Sequence, residues 1–92
     1  KLAYVVDARY DEENEAKIVE LAQGADIFYC EAPYLDQDAD KARDRYHLTA
    51  RQAGVMAKKA GVRELVVFHF SPRYAGLGHR IEAEAQQAFR GS

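Results

Sequence analysis

Three short apolar runs constrain the fold of this chain more than any other feature of its sequence. They span residues 2–6, 27–30 and 65–68, and each is nearly continuous and rich in β-branched or aromatic residues. Continuous runs of this length, bounded by polar residues, are typical of strands buried on both faces. The sequence therefore predicts three buried β-strands.

Segments with helical signals separate the three runs. Asp11 is a candidate N-cap before an acidic first turn, and Gly24 is the matching stop. Thr49 and Gln52 form a capping box for the next helix, which Gly61 ends. A last helix follows a Gly-Leu-Gly sequence near the end of the chain. Alternating strands and helices predict βαβ units, and thus an α/β fold with a mainly parallel three-stranded sheet.

The chain is predicted to be one half of a larger layered sandwich. Its 92 residues, 1–92, make at most one domain. Strands buried on both faces need helices on both sides, yet few helices are predicted. An apolar run also begins directly after Lys1, which favours a chain cut from a longer one. We therefore expect an exposed apolar face that associates with further protein.

Composition narrows the function classes. A formal net charge of −2 gives the chain as a whole no attraction to nucleic acid or to an anionic membrane. No apolar run approaches the roughly 20 residues of a membrane span, and no secretory signal peptide is recognisable. The single cysteine, Cys30, cannot form an internal disulfide, so a cytoplasmic location is predicted.

Each apolar run is followed by a residue of catalytic type, namely Asp7, Glu31 and His69. The carboxyl ends of parallel strands meet at one sheet edge, where ligand sites gather. Two carboxylates and an imidazole at that edge predict metal-ligand or acid–base chemistry. Each residue alone also has a simpler interpretation: Asp7 and Glu31 as helix caps or turn formers, and His69 as a hydrogen-bonded core histidine.

Four motifs resemble those of the ribonuclease Z family, the tRNA 3′-processing endonucleases of the metallo-β-lactamase superfamily. They are His69-Phe70-Ser71-Pro72-Arg73-Tyr74, His47-Leu48-Thr49-Ala50, Glu31-Ala32 and Val6-Asp7, in the family's order and spacing. The resemblance covers nearly the whole chain. It implies the C-terminal half of an αββα metallo-β-lactamase sandwich, and it departs from the family's usual G-D-T and E-A-T-F at Val6-Asp7-Ala8 and at Glu31-Ala32-Pro33-Tyr34.

The resemblance implies a metal site and a proton donor. Asp7 would bridge two Zn²⁺ ions, and His69 would bind one of them. His47 would donate a proton to the leaving oxygen or stabilise charge there, and Glu31 would orient His47 or the site around it.

The resemblance also implies substrate contacts at Arg73 and Ser71. The forked guanidinium of Arg73 suits a phosphate. The substrate would be tRNA or another phosphodiester or ester, and the full-length protein would be a homodimer.

The superfamily's H-x-H-x-D-H motif and a further histidine ligand, which precede these motifs, are not in this sequence. Asp7 and His69 alone leave each zinc short of the three protein ligands that are usual in a catalytic site. We therefore expect the chain to be inactive by itself and to need the missing N-terminal half of the domain. The rival prediction is a small α/β interaction or regulatory module without chemistry, in which Asp7 could be a phosphoacceptor. Measuring the metal content of the intact protein would discriminate between the hydrolase and the interaction module.

Overall fold

The computed structural model describes residues 1–6, 8, 10–45, 47–68 and 78–91. Strands and helices alternate along the chain, and a single 3₁₀ turn, Asp36–Asp38, precedes the second helix. The strands are β1 (Leu2–Val5), β2 (Ile27–Glu31) and β3 (Glu64–Phe68). The helices are α1 (Glu12–Ala22), α2 (Ala39–Asp44), α3 (Ala50–Ala60) and α4 (Gly78–Arg90).

The three strands form one parallel sheet in the order β1-β2-β3. Tyr4 is level with Tyr29, and Glu31 is level with Phe68, so all three strands run toward the same edge. The predicted α/β fold with a parallel three-stranded sheet and packed helices is therefore confirmed.

The described helices cover one face of this sheet. Burial alternates along each strand, and the buried strand residues share the helix side: Ala3, Val5, Phe28, Cys30, Leu65 and Val67. On the opposite face, Leu2 and Tyr4 expose 67% and 63% of their surface. The continuous apolar runs predicted burial on both faces, and in the described residues only one face is buried. The expected exposed apolar face is present among the described residues.

Local signals set the helix ends. The Asp11 carboxylate accepts a hydrogen bond from the Asn14 N–H at 2.8 Å, which caps α1. Thr49 and Gln52 form the complete predicted capping box at the start of α3. Gly61 ends α3 in the left-handed conformation, with φ 68°, which glycine adopts without a steric cost.

Helices α3 and α4 cross with their backbones in contact at Gly54. A Cβ added to Gly54 would lie 2.3 Å from the Ala85 carbonyl oxygen and 2.7 Å from the Ala88 Cβ. The small residues along both helices permit this approach, and it brings α4 against the first turns of α3. None of the described helices is long and apolar enough to cross a membrane.

Candidate functional site at the carboxyl edge of the sheet

The carboxyl ends of the strands share one edge, as the sequence predicts for a catalytic site. At this edge Val5 pairs with Cys30, and Glu31 pairs with Phe68. Four predicted site residues lie outside the described residues: Asp7, His69, Ser71 and Arg73. The structure therefore places the edge and its neighbouring residues, and the roles of these four stay predictions.

Glu31 is the last residue of β2 and is partly buried. The chain after it is buried as well, because Ala32 is fully buried and Tyr34 and Leu35 are 4% and 3% exposed. A carboxylate at the end of a strand, in front of a buried turn, is well placed to act on groups at the sheet edge. This position agrees with the predicted place of Glu31.

His47 lies between α2 and α3, and its backbone is more constrained than the sequence indicates. Its N–H donates to the Ala42 carbonyl at 2.8 Å, and the next residues, Leu48 and Thr49, are 1% and 0% exposed. The imidazole is partly buried and lies 6.1 Å from the Tyr34 ring, centroid to centroid. The main chain at His47 is therefore fixed, and side-chain rotation is the remaining freedom.

The Nδ1 atom of His47 is buried and has no hydrogen-bond partner among the described residues. A buried polar atom without a partner costs roughly 1–3 kcal/mol, so native proteins rarely leave one unsatisfied. Glu31 is among the described residues and does not bond this nitrogen. An orienting role for Glu31 would therefore act through the other ring nitrogen or through the surrounding backbone.

The first turn of α3, which follows His47 directly, has all its free backbone N–H groups occupied. The Thr49 N–H donates to the Gln52 side chain at 2.9 Å, and the Gln52 N–H donates to the Thr49 hydroxyl at 3.1 Å. The Ala50 N–H donates to the Tyr34 carbonyl at 2.8 Å. The remaining N–H, that of Arg51, donates to Glu84 Oε2 at 3.1 Å. This helix start is therefore complete without a bound anion.

Glu84 is a residue of the site region that sequence reasoning missed. Its Oε2 also accepts a hydrogen bond from the Asp36 N–H at 3.0 Å. The sequence signal that could have identified Glu84 is its position on helix α4. Glu84 lies one turn after the buried Ile81 and directly before the buried Ala85. A carboxylate at the border of a helix's apolar stripe indicates a specific partner across the interface.

A second network lies at Tyr10, a described residue of the connection between β1 and α1. The Tyr10 hydroxyl donates to Glu15 Oε2, and Lys59 Nζ donates to Glu15 Oε1 at 3.0 Å. The bond to Glu15, burial and the nearby negative charge raise the pKa of Tyr10 to about 12. The hydrogen bonds that Glu15 accepts from Tyr10 and Lys59 lower the pKa of the Glu15 carboxyl. The network joins this connection to α3.

Cys30 packs as a small hydrophobic residue in β2. Its side chain is buried on the helix-covered face, and its sulfur lies 3.8 Å from the Glu31 carbonyl oxygen. Burial, with a smaller contribution from the negative charge of Glu31, raises the pKa of the Cys30 thiol to about 12. The thiol is therefore protonated at neutral pH and unsuited to nucleophilic or metal-ligand chemistry.

Within the part of the chain that the structure describes, no three His, Cys, Asp or Glu side chains are grouped closely enough to hold a metal ion. His47 is an imidazole of the type that zinc prefers, but one nitrogen donor is not a site. The described residues alone therefore do not form a zinc site.

Comparison with known proteins gives relatives named Ribonuclease Z. Ribonuclease Z of Kineococcus radiotolerans is 49% identical over 85 residues, which are 92% of this chain and 26% of the relative. Ribonuclease Z of Bacillus velezensis is 39% identical over 93 residues, covering 99% of this chain and 29% of the relative. Ribonuclease Z of Halorubrum lacusprofundi is 38% identical, covering 99% and 28%. The chain thus spans 26% to 29% of the length of these curated relatives.

Among solved structures, the metallo-β-lactamase fold protein YhfI from Bacillus subtilis matches with a TM-score of 0.78 and 22% sequence identity. The match covers 98% of this chain and 34% of that protein, and it shows the fold. No family model matches the chain. The resemblance indicated by the motifs is therefore confirmed: this chain is similar over nearly its whole length to part of ribonuclease Z, and its fold is part of a metallo-β-lactamase fold.

Proposed function

We propose that this chain is part of a dinuclear zinc-dependent hydrolase, a phosphodiesterase and endoribonuclease of the ribonuclease Z type that acts in tRNA processing. The observation that carries the proposal is the sustained similarity to proteins named Ribonuclease Z over as much as 99% of the chain. The shared carboxyl edge of the parallel strands, which places Glu31 beside Phe68, supports it.

In this proposal Asp7 and His69 hold metal together with ligands from the rest of the protein, and Zn²⁺ supplies Lewis-acid chemistry at the phosphate. His47 donates a proton to the leaving oxygen, and Glu31 orients the region around it. Arg73 and Ser71 contact the substrate phosphate. The fixed main chain at His47 supports proton transfer, because a donor must be held within hydrogen-bond reach of the leaving group.

The partner of the open sheet face in this proposal is the N-terminal half of the same domain. The open face carries stacked aromatic rings: Tyr4 lies 5.0 Å from Tyr29 and 5.9 Å from Phe68, between ring centroids. A second apolar layer would bury these rings, and curated relatives that are several times longer have the chain to supply one. The 92 residues alone would then lack activity, and the complete protein would be a cytoplasmic homodimer.

The test of the proposal uses the full-length protein and measures zinc content and phosphodiester hydrolysis on the same preparations. Asp7→Ala and His69→Ala should lose metal and activity together. His47→Ala should keep its zinc and lower kcat by roughly 10²–10⁴, the usual worth of a general acid or base. Precursor tRNA and a small aryl phosphodiester serve as the two substrates, which separates a tRNA enzyme from a general phosphodiesterase.

His79→Ala is the matched control, because His79 is an exposed histidine at the start of α4. It should change neither metal content nor rate. If His47→Ala loses zinc as His69→Ala does, the assignment of roles is wrong. If the wild-type protein binds no metal and hydrolyses neither substrate, the hydrolase proposal fails and the interaction module is favoured.

A further inference from the structure

We infer that Glu84 is a positioning residue for His47, acting through a carboxylate that ties both ends of the His47 segment (residues 36–51) to helix α4. The inference rests on the proposed function, because it assigns Glu84 a part in placing the proton donor. Neither the motifs nor the comparisons point to this residue.

The tie is made by one oxygen atom. Oε2 of Glu84 accepts from the Asp36 N–H at 3.0 Å and from the Arg51 N–H at 3.1 Å. These two amides belong to the first and last residues of the His47 segment. Hydrogen bonds to an ionised carboxylate are stronger than those between neutral groups. The Glu84 side chain therefore holds the first and last residues of the segment close together. The Arg51 guanidinium, 3.6 Å from the Asp36 carboxylate, adds a third link between the same ends.

A second closure lies next to the first. Tyr34 and Thr49 pair as a parallel bridge, and the Ala50 N–H donates to the Tyr34 carbonyl at 2.8 Å. Within the segment, the His47 N–H is bonded to the Ala42 carbonyl. The Glu84 tie, the bridge and this internal bond together set the direction in which the His47 main chain presents its imidazole.

The tie also joins helix α4 to the segment that carries His47. Glu84 lies on α4, the helix that follows the stretch carrying His69, whereas its hydrogen-bond partners belong to the segment carrying His47. A proton donor must be held within about 0.5 Å of its productive place relative to the leaving oxygen, and small misplacements cost large factors in rate. A carboxylate that joins the two segments is suited to maintain that distance.

The position taken by Glu84 further excludes one phosphate site. The N-terminus of a helix normally attracts anions, and α3 begins directly after His47 and Leu48. Glu84 supplies the anion there, and the other three first-turn N–H groups bond within the protein. A substrate phosphate would therefore meet the His47 side chain and not the amides of α3.

The test compares Glu84→Ala, Glu84→Gln and Glu82→Ala in the full-length protein. Glu82 is the matched control, because it is an exposed glutamate on the same helix. Glu84→Ala should lower kcat about 10–100-fold with zinc content unchanged and KM within about threefold. Glu84→Gln keeps a side-chain oxygen that accepts both hydrogen bonds, and it should restore most of the rate. Glu82→Ala should match the wild type.

A purely stabilising role would lower the denaturation midpoint of Glu84→Ala while the folded enzyme kept its kcat, and that outcome overturns the inference. A Glu84→Gln rate as low as that of Glu84→Ala also overturns it. Amide proton shifts of Asp36 and Arg51, compared between Glu84→Ala and Glu82→Ala, report the tie without any activity. A wild type that hydrolyses nothing would refute the proposed function and the catalytic part of this inference, and unchanged amide shifts would refute the tie itself.

Discussion

The face of the sheet that packs on the helices carries Phe28, Cys30 and Leu65, and the opposite face carries Tyr4, Tyr29 and Val66. The open face is also mostly apolar, with Glu31 and Glu64 at its strand ends, yet the described residues bury only the first face. A sheet with one solvated face usually alternates apolar with polar residues, and parallel sheets of continuous apolar strands are covered on both sides. These strands therefore have the composition of a two-sided core, whereas the described residues cover one side.

The open face would gain most from a partner at its aromatic rings. Tyr4 and Tyr29 are directly opposite each other in the strand register, and their rings stack with an angle of 25° between planes. Exposed apolar patches of this kind mark surfaces that contact other protein.

The largest difference should appear in thiol alkylation. Cys30 lies on the covered face with its pKa raised to about 12, so iodoacetamide at pH 8 should leave the folded protein unmodified. In a Cys30→Ala background, Tyr29→Cys places a thiol one residue away on the open face. In the 92-residue chain that thiol should react at least about 10³-fold faster than Cys30, because thiolate fraction falls tenfold per pKa unit. In the full-length protein it should be protected, and equal rates in the two contexts would contradict a covering partner.

The same thiol predicts a loss of stability at high pH. A thiol whose pKa is raised on folding stays protonated in the folded state while the unfolded state ionises, so unfolding becomes more favourable as pH rises above about 9. Between pH 9 and 10, Cys30→Ala should flatten the decline in the free energy of unfolding, measured by urea titration. This window lies below the range in which Tyr10, with its own raised pKa, contributes. An unchanged slope would show that the thiol is not the cause.

Truncating a large side chain should lower the free energy of unfolding more on the covered face than on the open face. Phe28 is fully buried, and Phe28→Ala should lower the free energy of unfolding by about 3–5 kcal/mol. Tyr29→Ala should cost less than about 1 kcal/mol in the 92-residue chain, because the open face buries little. Urea denaturation of the full-length protein should show a larger cost for Tyr29→Ala. If Tyr29→Ala lowered the free energy of unfolding equally in the 92-residue chain and in the full-length protein, the open face would be uncovered in the full-length protein too.

Adding one methyl group at Gly54 tests the packing of α3 on α4, in the helix layer that covers the first face. At an unhindered helical position, Gly→Ala adds about 1 kcal/mol of stability. Gly54→Ala should instead lower the free energy of unfolding by about 1–3 kcal/mol, since its Cβ would lie 2.3 Å from the Ala85 carbonyl oxygen. The sign is diagnostic in thermal or urea unfolding, and a stabilised Gly54→Ala would disprove the close crossing of α3 and α4.

The smallest effect concerns the open face itself. A double-mutant cycle of Tyr4→Ala and Tyr29→Ala in the 92-residue chain should give a coupling of about 0.5 kcal/mol for the stacked pair, the lower end for aromatic pairs. Tyr10→Ala with Tyr29→Ala, a pair that shares no strand register, should be additive. Zero coupling for Tyr4 with Tyr29 would show that the rings do not stack in solution.

The sequence by itself determined the elements and the chemistry-bearing motifs. Apolar runs, the Asp11 cap, and the Thr49–Gln52 capping box predicted the strands and helix starts, because these signals act between residues a few positions apart. The order of strands and helices was enough for a parallel sheet and a shared edge, because crossovers of one hand leave few alternatives. The histidine motifs indicated the family on their own.

Tertiary structure alone decided which face is covered and how His47 is placed. In a strand that is apolar at every position, the sequence does not distinguish the face that will be buried. The covered face therefore depends on where α1, α3 and α4 pack. Glu84 bonds amides 48 and 33 residues away, and such pairings arise only when the crossing at Gly54 brings α4 against α3. The buried Nδ1 of His47 likewise depends on its packed surroundings. Local sequence encodes hydrogen bonds between near neighbours, whereas contacts between distant residues follow from the packing of whole elements.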